Sequence, residues 1–388
     1  MSKKLFAVLG VLIMVSMILS ACATPTAAPT EAPVAPTEAP VAPTEVPPTM
    51  APKMLFGQVT DLGGVDDKSF NALAWKGLQD AGAQLGVDVK YLESTQQSDY
   101  AKNIQQFLTE KAELITTIGF LLGVDTATAA KANPDTKFAI VDYAFPDCWP
   151  GAVVGKDCGS DVELPNVMGL TFQTDEAAFL AGMAAAGTSK SGVIGTYGGM
   201  NLPTVSIFMK GLEAGVKYYN QLNSTTAKVI GWDTCKNDGT FTGNFSSTDD
   251  ARKITESMSQ EGADIFMGVG GPIGQGSAAY CMETKSCTYI GVDADWFETV
   301  PDYKDIYLTS VLKKIDVAVF DAAKSAVDGT YKGGISNFTL KNNGVDIAPF
   351  HNLDSAVSAD LKAQIDQAKA DLISGKITVD GVLACPAK

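Results

Sequence analysis

The sequence predicts an α/β protein built from two similar lobes. Three observations carry this. Short apolar runs alternate with helical periodicities along the chain, as in βαβ units with parallel sheets. The alternation stops at a Cys- and Pro-bearing excursion, residues 146–165, and then starts afresh. Hydrophobic content is 46% with 37 glycines, and the stretch from Met54 to Lys388 is long for one core and comfortable for two.

In the first series, residues 54–60 read as a strand, 69–85 as a helix, 87–92 as a strand and 99–111 as a helix. Residues 113–118 follow as a strand, 125–131 as a helix and 137–141 as a strand. The second series has strands at 167–172, 192–197, 228–232, 264–269 and 288–292. Helices at 175–187, 204–220, 249–261 and 274–282 lie between them. The tail is less regular: a strand at 306–311, a helix at 315–327, a short strand at 336–340 and a closing helix at 357–373. Chain left over after two complete series crosses back between lobes and makes a multi-strand hinge. The expected boundaries are 54–171 plus about 294–330 for the first lobe, and 172–293 plus about 331–388 for the second.

Ahead of the lobes stand two other segments. Met1-Ser2-Lys3-Lys4 is cationic, residues 5–19 are an apolar run, and Leu19-Ser20-Ala21-Cys22 ends it in small residues and a cysteine. The run is short for a membrane span, which needs about 20 apolar residues, so the order reads as a cleaved secretory signal over 1–21. Its end resembles a bacterial lipobox, which implies cleavage before Cys22 and lipid attachment there; an ordinary signal with an incidental Cys is the alternative. The chain would then work outside the cytoplasm, held at the membrane by acyl chains alone. Residues 22–53 form the linker, almost entirely Ala, Pro, Thr, Val and Glu, with the heptad Thr30-Glu31-Ala32-Pro33-Val34-Ala35-Pro36 repeated at 37–43. Such frequent proline prevents helix and sheet ladders. At about 3.1 Å per residue the stalk could reach roughly 90 Å.

The net charge is −15, and loss of the two leader lysines makes it more negative. That argues against nucleic acid and anionic lipid as partners, and against a polyanionic ligand. Seven cysteines less Cys22 leave an even set, which outside the cytoplasm reads as disulfides with 15 formal connectivities. Cys148 with Cys158 and Cys281 with Cys287 are close enough to close small loops, and by elimination Cys235 would meet Cys385. There is no C-x-x-C and one histidine, His351, so no metal is expected. A Ser-His-Asp arrangement, H-E-x-x-H and a P-loop are absent too, and no enzyme is expected.

In open α/β sheets ligands sit at the carboxyl ends of strands. Asp61, Asp142 and Asp293 fall at three such ends. The densest motif is Thr60-Asp61-Leu62-Gly63-Gly64-Val65-Asp66-Asp67-Lys68-Ser69-Phe70-Asn71. Its glycines allow a tight turn, Asp67 or Ser69 can cap the helix that follows, and Phe70 and Asn71 enter its first turn. An aromatic and an amide there suit a flat polar ligand; otherwise Phe70 is core and Asn71 surface. A second glycine-rich turn spans 268–276, where Gly274, Gly276 and Ala279 fit a degenerate dinucleotide fingerprint with Asp293 at the ribose-acid spacing. Its place inside the second lobe, in an extracytoplasmic protein, leaves no cofactor expected.

These residues resemble the basic membrane protein family of bacterial substrate-binding lipoproteins, which includes the purine nucleoside receptor A-like proteins. The resemblance covers about 55–382. Its marks are Asp61-x-Gly63-Gly64-x-x-Asp67-Lys68-Ser69-Phe70-Asn71, Glu176-Ala177-Ala178-Phe179-Leu180-Ala181-Gly182, Ile290-Gly291-Val292-Asp293-Ala294-Asp295 and Leu308-Thr309-Ser310-Val311-Leu312-Lys313. It implies a type I periplasmic-binding-protein fold with two Rossmann-like lobes. It also implies a nucleoside ligand, of purine type, and an ABC transporter permease as partner. Asp61 and Asn71 would address the base edge, Phe70 would stack on it, and Asp142 would assist. Gly271, Asp293 and Lys313 would lie by the ribose. The opposing aromatic would be Phe245, with Trp232 a competing match. The alternatives are a sugar or autoinducer in the same fold, or a sensor lipoprotein. A monomer is the default for the class.

Overall fold

Each lobe is organised by a six-stranded sheet whose inner strands are buried on both faces, so they read as near-continuous apolar runs. The computed structural model describes residues 53–385; the leader, Cys22 and most of the stalk lie outside them. In the first lobe the chain runs β1 (Leu55–Val59), α1 (Phe70–Leu85), β2 (Asp88–Leu92), α2 (Tyr100–Thr109), β3 (Leu114–Ile118), α3 (Gly123–Ala132), β4 (Lys137–Val141) and β5 (Val167–Phe172). The strands lie parallel in the order β2-β1-β3-β4-β5. Val59, Ile115 and Ile140 bury against Ile104 and Phe107 of α2. On the other face Phe56, Leu114 and Val141 pack with Ala74 and Leu78 of α1.

The second lobe repeats the plan. It holds α4 (Thr174–Thr188), β6 (Val193–Gly198), α5 (Pro203–Asn223), β7 (Lys228–Ile230), the hairpin β8 (Trp232–Asp233) with β9 (Asp238–Gly239), and α6 (Thr248–Gln260). Then come β10 (Ile265–Val269), α7 (Gly274–Thr284), β11 (Thr288–Asp293), the short α8 (Trp296–Thr299) and β12 (Tyr307–Lys313). Its parallel order β7-β6-β10-β11-β12 matches the first lobe strand for strand. Helices α4 and α5 pack tightly: a Cβ on Gly215 would stand 1.9 Å from the Phe179 carbonyl oxygen, so only glycine allows this approach.

The tail is α9 (Ile315–Val327), β13 (Gly334–Phe338), β14 (Val345–Ile347), α10 (Ala359–Ile373) and α11 (Val379–Leu383). Here the lobe boundaries differ from expectation. Residues 307–313 belong to the second sheet, between β11 and antiparallel β14, while β13 joins the edge of the first sheet beside β5. The reason is completion. The strand at 167–172, which the sequence pattern put at the head of the second series, joins the first sheet as its fifth parallel strand, which leaves the second sheet with four, so the next buried apolar strand fills the vacant place beside β11. Helix α9 returns to the first lobe, where Gly77 of α1 meets the Asp316 backbone and Val319. The chain thus crosses between lobes at 172–174, 313–315 and 338–345.

Two further boundaries shift. The strand expected over 228–232 breaks at Gly231, whose φ of 87° turns Trp232 into the β8–β9 hairpin. The helix expected to close the chain starts at Ala359, capped by the Ser358 hydroxyl, and α11 follows it. All three expected disulfides are present: Cys148–Cys158, Cys281–Cys287 and Cys235–Cys385. The last ties the loop after β8 to the end of the chain.

Candidate ligand-binding site

The site begins with a division of labour at the start of α1. Asp67 accepts hydrogen bonds from the backbone N–H groups of Ser69 (2.9 Å), Asn71 (2.9 Å) and Ala72 (3.0 Å), so it caps the helix. Ser69 stands at the N-cap position without using its side chain there. Its hydroxyl instead crosses to the second lobe, 2.9 Å from the Val292 carbonyl oxygen and 3.0 Å from Asp293 Oδ2.

Asn71 departs from expectation. Its amide donates to Asp61 Oδ1 at 2.8 Å and to Asp67 Oδ2 at 3.0 Å, and its oxygen accepts from the Asp61 N–H at 3.2 Å. Both amide hydrogens are spent on carboxylates, so Asn71 lines the cavity but chiefly aims Asp61. Gly63 N–H adds a bond to the same Oδ1 at 3.1 Å. Asp61 Oδ2 takes no hydrogen bond from the described residues and stays available to a ligand. Beside it, Gly119 has φ of 113°, and a Cβ there would lie 2.9 Å from Asp61 Oδ2. The glycine after β3 keeps that oxygen uncovered.

The two remaining strand-end acids face each other's lobes. Lys313, buried at the end of β12, reaches Asp142 Oδ2 at 2.6 Å. The same ammonium stands 4.8 Å from the Phe70 ring centre, 5.0 Å from that of Phe172 and 5.7 Å from that of Phe208. Desolvation pushes Asp61 up to about 6, against the lowering pull of its bonds from Asn71 and Gly63. Desolvation also pushes Asp293 up to about 6, with Lys313 opposing. Asp67 and Asp142 are raised for the same reason, the first relieved by its capping bonds and the second by Lys313.

All eight residues expected at the site line one cavity: Asp61, Phe70, Asn71, Asp142, Phe245, Gly271, Asp293 and Lys313. Its empty space, open solvent at the mouth included, is about 580 Å³. Phe70 comes from the first lobe and Phe245 from the loop before α6 in the second. Trp232 is not in the wall; it is buried edge-on against Phe241, with its indole N–H on Thr234. Sequence reasoning missed Asp67, Gly119, Phe120, Val205 and Phe208, which also line the cavity. Gly119 and Phe120 directly follow β3, so the strand-end rule applied to that strand would have found them. Phe208 sits inside α5 and carries no such signal.

The wall is apolar and aromatic, with four carboxylates and one ammonium. A flat, neutral ligand rich in hydrogen-bond donors suits it, and a phosphate does not.

Two α/β lobes with such a cleft between them are the architecture of solute-binding proteins, shared with transcription regulators such as the Lac repressor. The structure is similar to an ABC transporter solute-binding protein of Aeropyrum pernix, with TM-score 0.71 and 25% identity over 84% of this chain and 92% of that one. The chain belongs to the family described as ABC transporter substrate-binding protein PnrA-like, whose model matches residues 56–380. It is 34% identical to the ABC transporter nucleoside-binding protein BmpA of Lactococcus lactis, over 83% of this chain and 87% of the relative. Basic membrane protein A of Borreliella burgdorferi is 29% identical over 82% of this chain and 85% of its own length. A lipoprotein of Pyrococcus abyssi is 30% identical over 76% and 69%. The family is one of substrate-binding proteins, not of enzymes.

Proposed function

We propose that this substrate-binding protein captures a nucleoside, of purine type, outside the cytoplasm and delivers it to the permease of an ABC importer. The observation that carries the reading is one cavity lined by an aromatic ring from each lobe together with strand-end carboxylates from both. Phe70 and Phe245 would sandwich the base, each stack worth about 1–3 kcal/mol. Asp61, aimed by Asn71, would take base-edge donors through its open Oδ2. Asp293 would take ribose hydroxyls, with Gly271 and Lys313 beside the sugar and Asp142 held by Lys313. The name of the Lactococcus relative supports the ligand class. Closure of the lobes about the three crossings would bury the ligand and present a single closed surface to the permease. The protein would act as a monomer, tethered through lipid on Cys22.

Calorimetric titration of the purified chain, freed of carried-over ligand by unfolding and refolding, tests this. Inosine, guanosine, adenosine, cytidine, uridine and ribose are the titrants. Submicromolar binding of a purine nucleoside with ribose silent is expected. Silence from every nucleoside in a folded sample would overturn the reading. Anchoring is tested separately: Cys22→Ser should move the protein out of the membrane fraction.

A further inference from the structure

A second chamber lies beside the first along the same strand ends. It is half open, with about 810 Å³ of empty space that includes solvent at its mouth, and it shares Asp142, Lys313 and Thr204 with the first cavity. The first cavity spans the ends of β1, β3 and β4; the second spans β4, β5 and β13 and continues onto the start of α5. The Lys313–Asp142 pair marks the boundary between them.

We propose that this chamber is a subsite for a neutral arm carried on the sugar of the ligand. The inference rests on the nucleoside reading, which puts the sugar against Lys313. Three features support it. Both lobes contribute wall, Asn337 of β13 from the first and Ile207 of α5 from the second, with Gln173 at the crossing between them. Its charged groups are only Asp142 and Lys313, which neutralise each other at 2.6 Å. A phosphate entering would have to compete with Asp142 for that ammonium, whereas a neutral arm leaves the pair intact. The rest of the wall mixes apolar surface, from Phe172 and Ile207, with amide and hydroxyl groups. That mixture suits a short thioether or hydroxyalkyl chain. With the base and sugar seated in the first cavity, an arm on the sugar would extend past the Lys313–Asp142 pair into the second.

The test compares adenosine and inosine with their 5′-deoxy-5′-methylthio and 5′-hydroxyethylthio derivatives, and with the 5′-monophosphates, by calorimetry on the full chain. The neutral-armed compounds should bind at least as tightly as their parents, and the monophosphates at least tenfold more weakly. Ile207→Trp fills the chamber from a residue that does not line the first cavity. It should weaken the armed compounds tenfold or more and leave the parents within twofold. Asn337→Trp, on the exposed edge strand β13, should do the same from the opposite wall and serves if the first variant fails to fold. Armed compounds binding more than tenfold worse than their parents would overturn the subsite, as would equal losses for both classes in the variants. Silence from the parents as well would overturn the nucleoside reading itself, and the subsite with it.

Discussion

Asp142 and Asp293 occupy equivalent places in the two lobes and are partnered differently. Each ends the same strand of the shared parallel order, β4 in one sheet and β11 in the other. Each adopts a left-handed backbone, with φ of 67° and 66°, that turns its carboxylate into the cleft. Each meets a residue of the opposite lobe. Asp142 meets the Lys313 ammonium, and Asp293 meets the Ser69 hydroxyl, which has one proton for two acceptors. The comparison shows that strand-end geometry is repeated while chemistry is set by what arrives from across the cleft. A buried ammonium satisfies one acid as structure. A shared hydroxyl leaves the other with capacity for a ligand.

The largest test of this contrast is Lys313→Met. It leaves Asp142 buried without its cation, which should cost about 3–5 kcal/mol in urea unfolding of the ligand-free chain. Adding Asp142→Asn should restore most of that. A single-variant loss under about 1 kcal/mol would mean the pair is not the structural partner of the two. Next comes the aromatic wall. Phe245→Ala should lower nucleoside affinity by about 1–3 kcal/mol, while Trp232→Phe, away from the cavity, should leave affinity unchanged. Equal losses would show that the hairpin also shapes the site.

Ser69→Ala sharpens the other half of the comparison. Asp67 still caps α1, so the unfolding midpoint should move little, but the closed lobes lose a cross-cleft bond of about 1 kcal/mol. Stopped-flow release of nucleoside should speed severalfold with association unchanged, and Ser69→Thr should recover the slow rate. Loss of stability instead of faster release would assign Ser69 to capping after all.

The smallest effect is the pH response. Asp61 and Asp293 ordinarily titrate near 3.8 and stand at about 6 in the folded chain. The folded state therefore holds their protons more tightly. The resulting stability is fully present below about pH 4 and is lost as pH rises through 6. Ligand-free protein should melt higher at pH 5 than at pH 8, and Asp293→Asn should flatten part of that slope. Nucleoside affinity should move the opposite way, falling as pH drops from 7 to 5, because in the proposed binding mode the sugar and base donors would need the ionised carboxylates. A slope unchanged by Asp293→Asn would place the titration elsewhere.

Much of the fold and part of the cavity wall were legible in the chain, for local reasons. Buried parallel strands require apolar runs such as Ile265–Val269, and the acids that follow them are visible because strand ends are where such runs stop. Phe70 and Asn71 were found because the Gly63-Gly64 turn announces the helix they open. The small loops of Cys148–Cys158 and Cys281–Cys287 are short-range facts. What escaped were residues whose role depends on a neighbour far along the chain. Phe208 looks like any helix residue until the lobes meet, and the assignment of β12 and β13 to opposite sheets depends on which sheet has an open edge.

The sequence by itself determined the alternation of strands and helices, the strand-end acids and the place of Phe70 at the start of α1. Periodicity and turn chemistry are written over a few residues at a time. Only the tertiary structure decided that Asp67 caps while Ser69 crosses the cleft, that Asn71 spends its amide on Asp61, and that Lys313 pairs with Asp142. Each of these is a competition among donors and acceptors remote in sequence, and the outcome depends on which of them packing brings within about 3 Å.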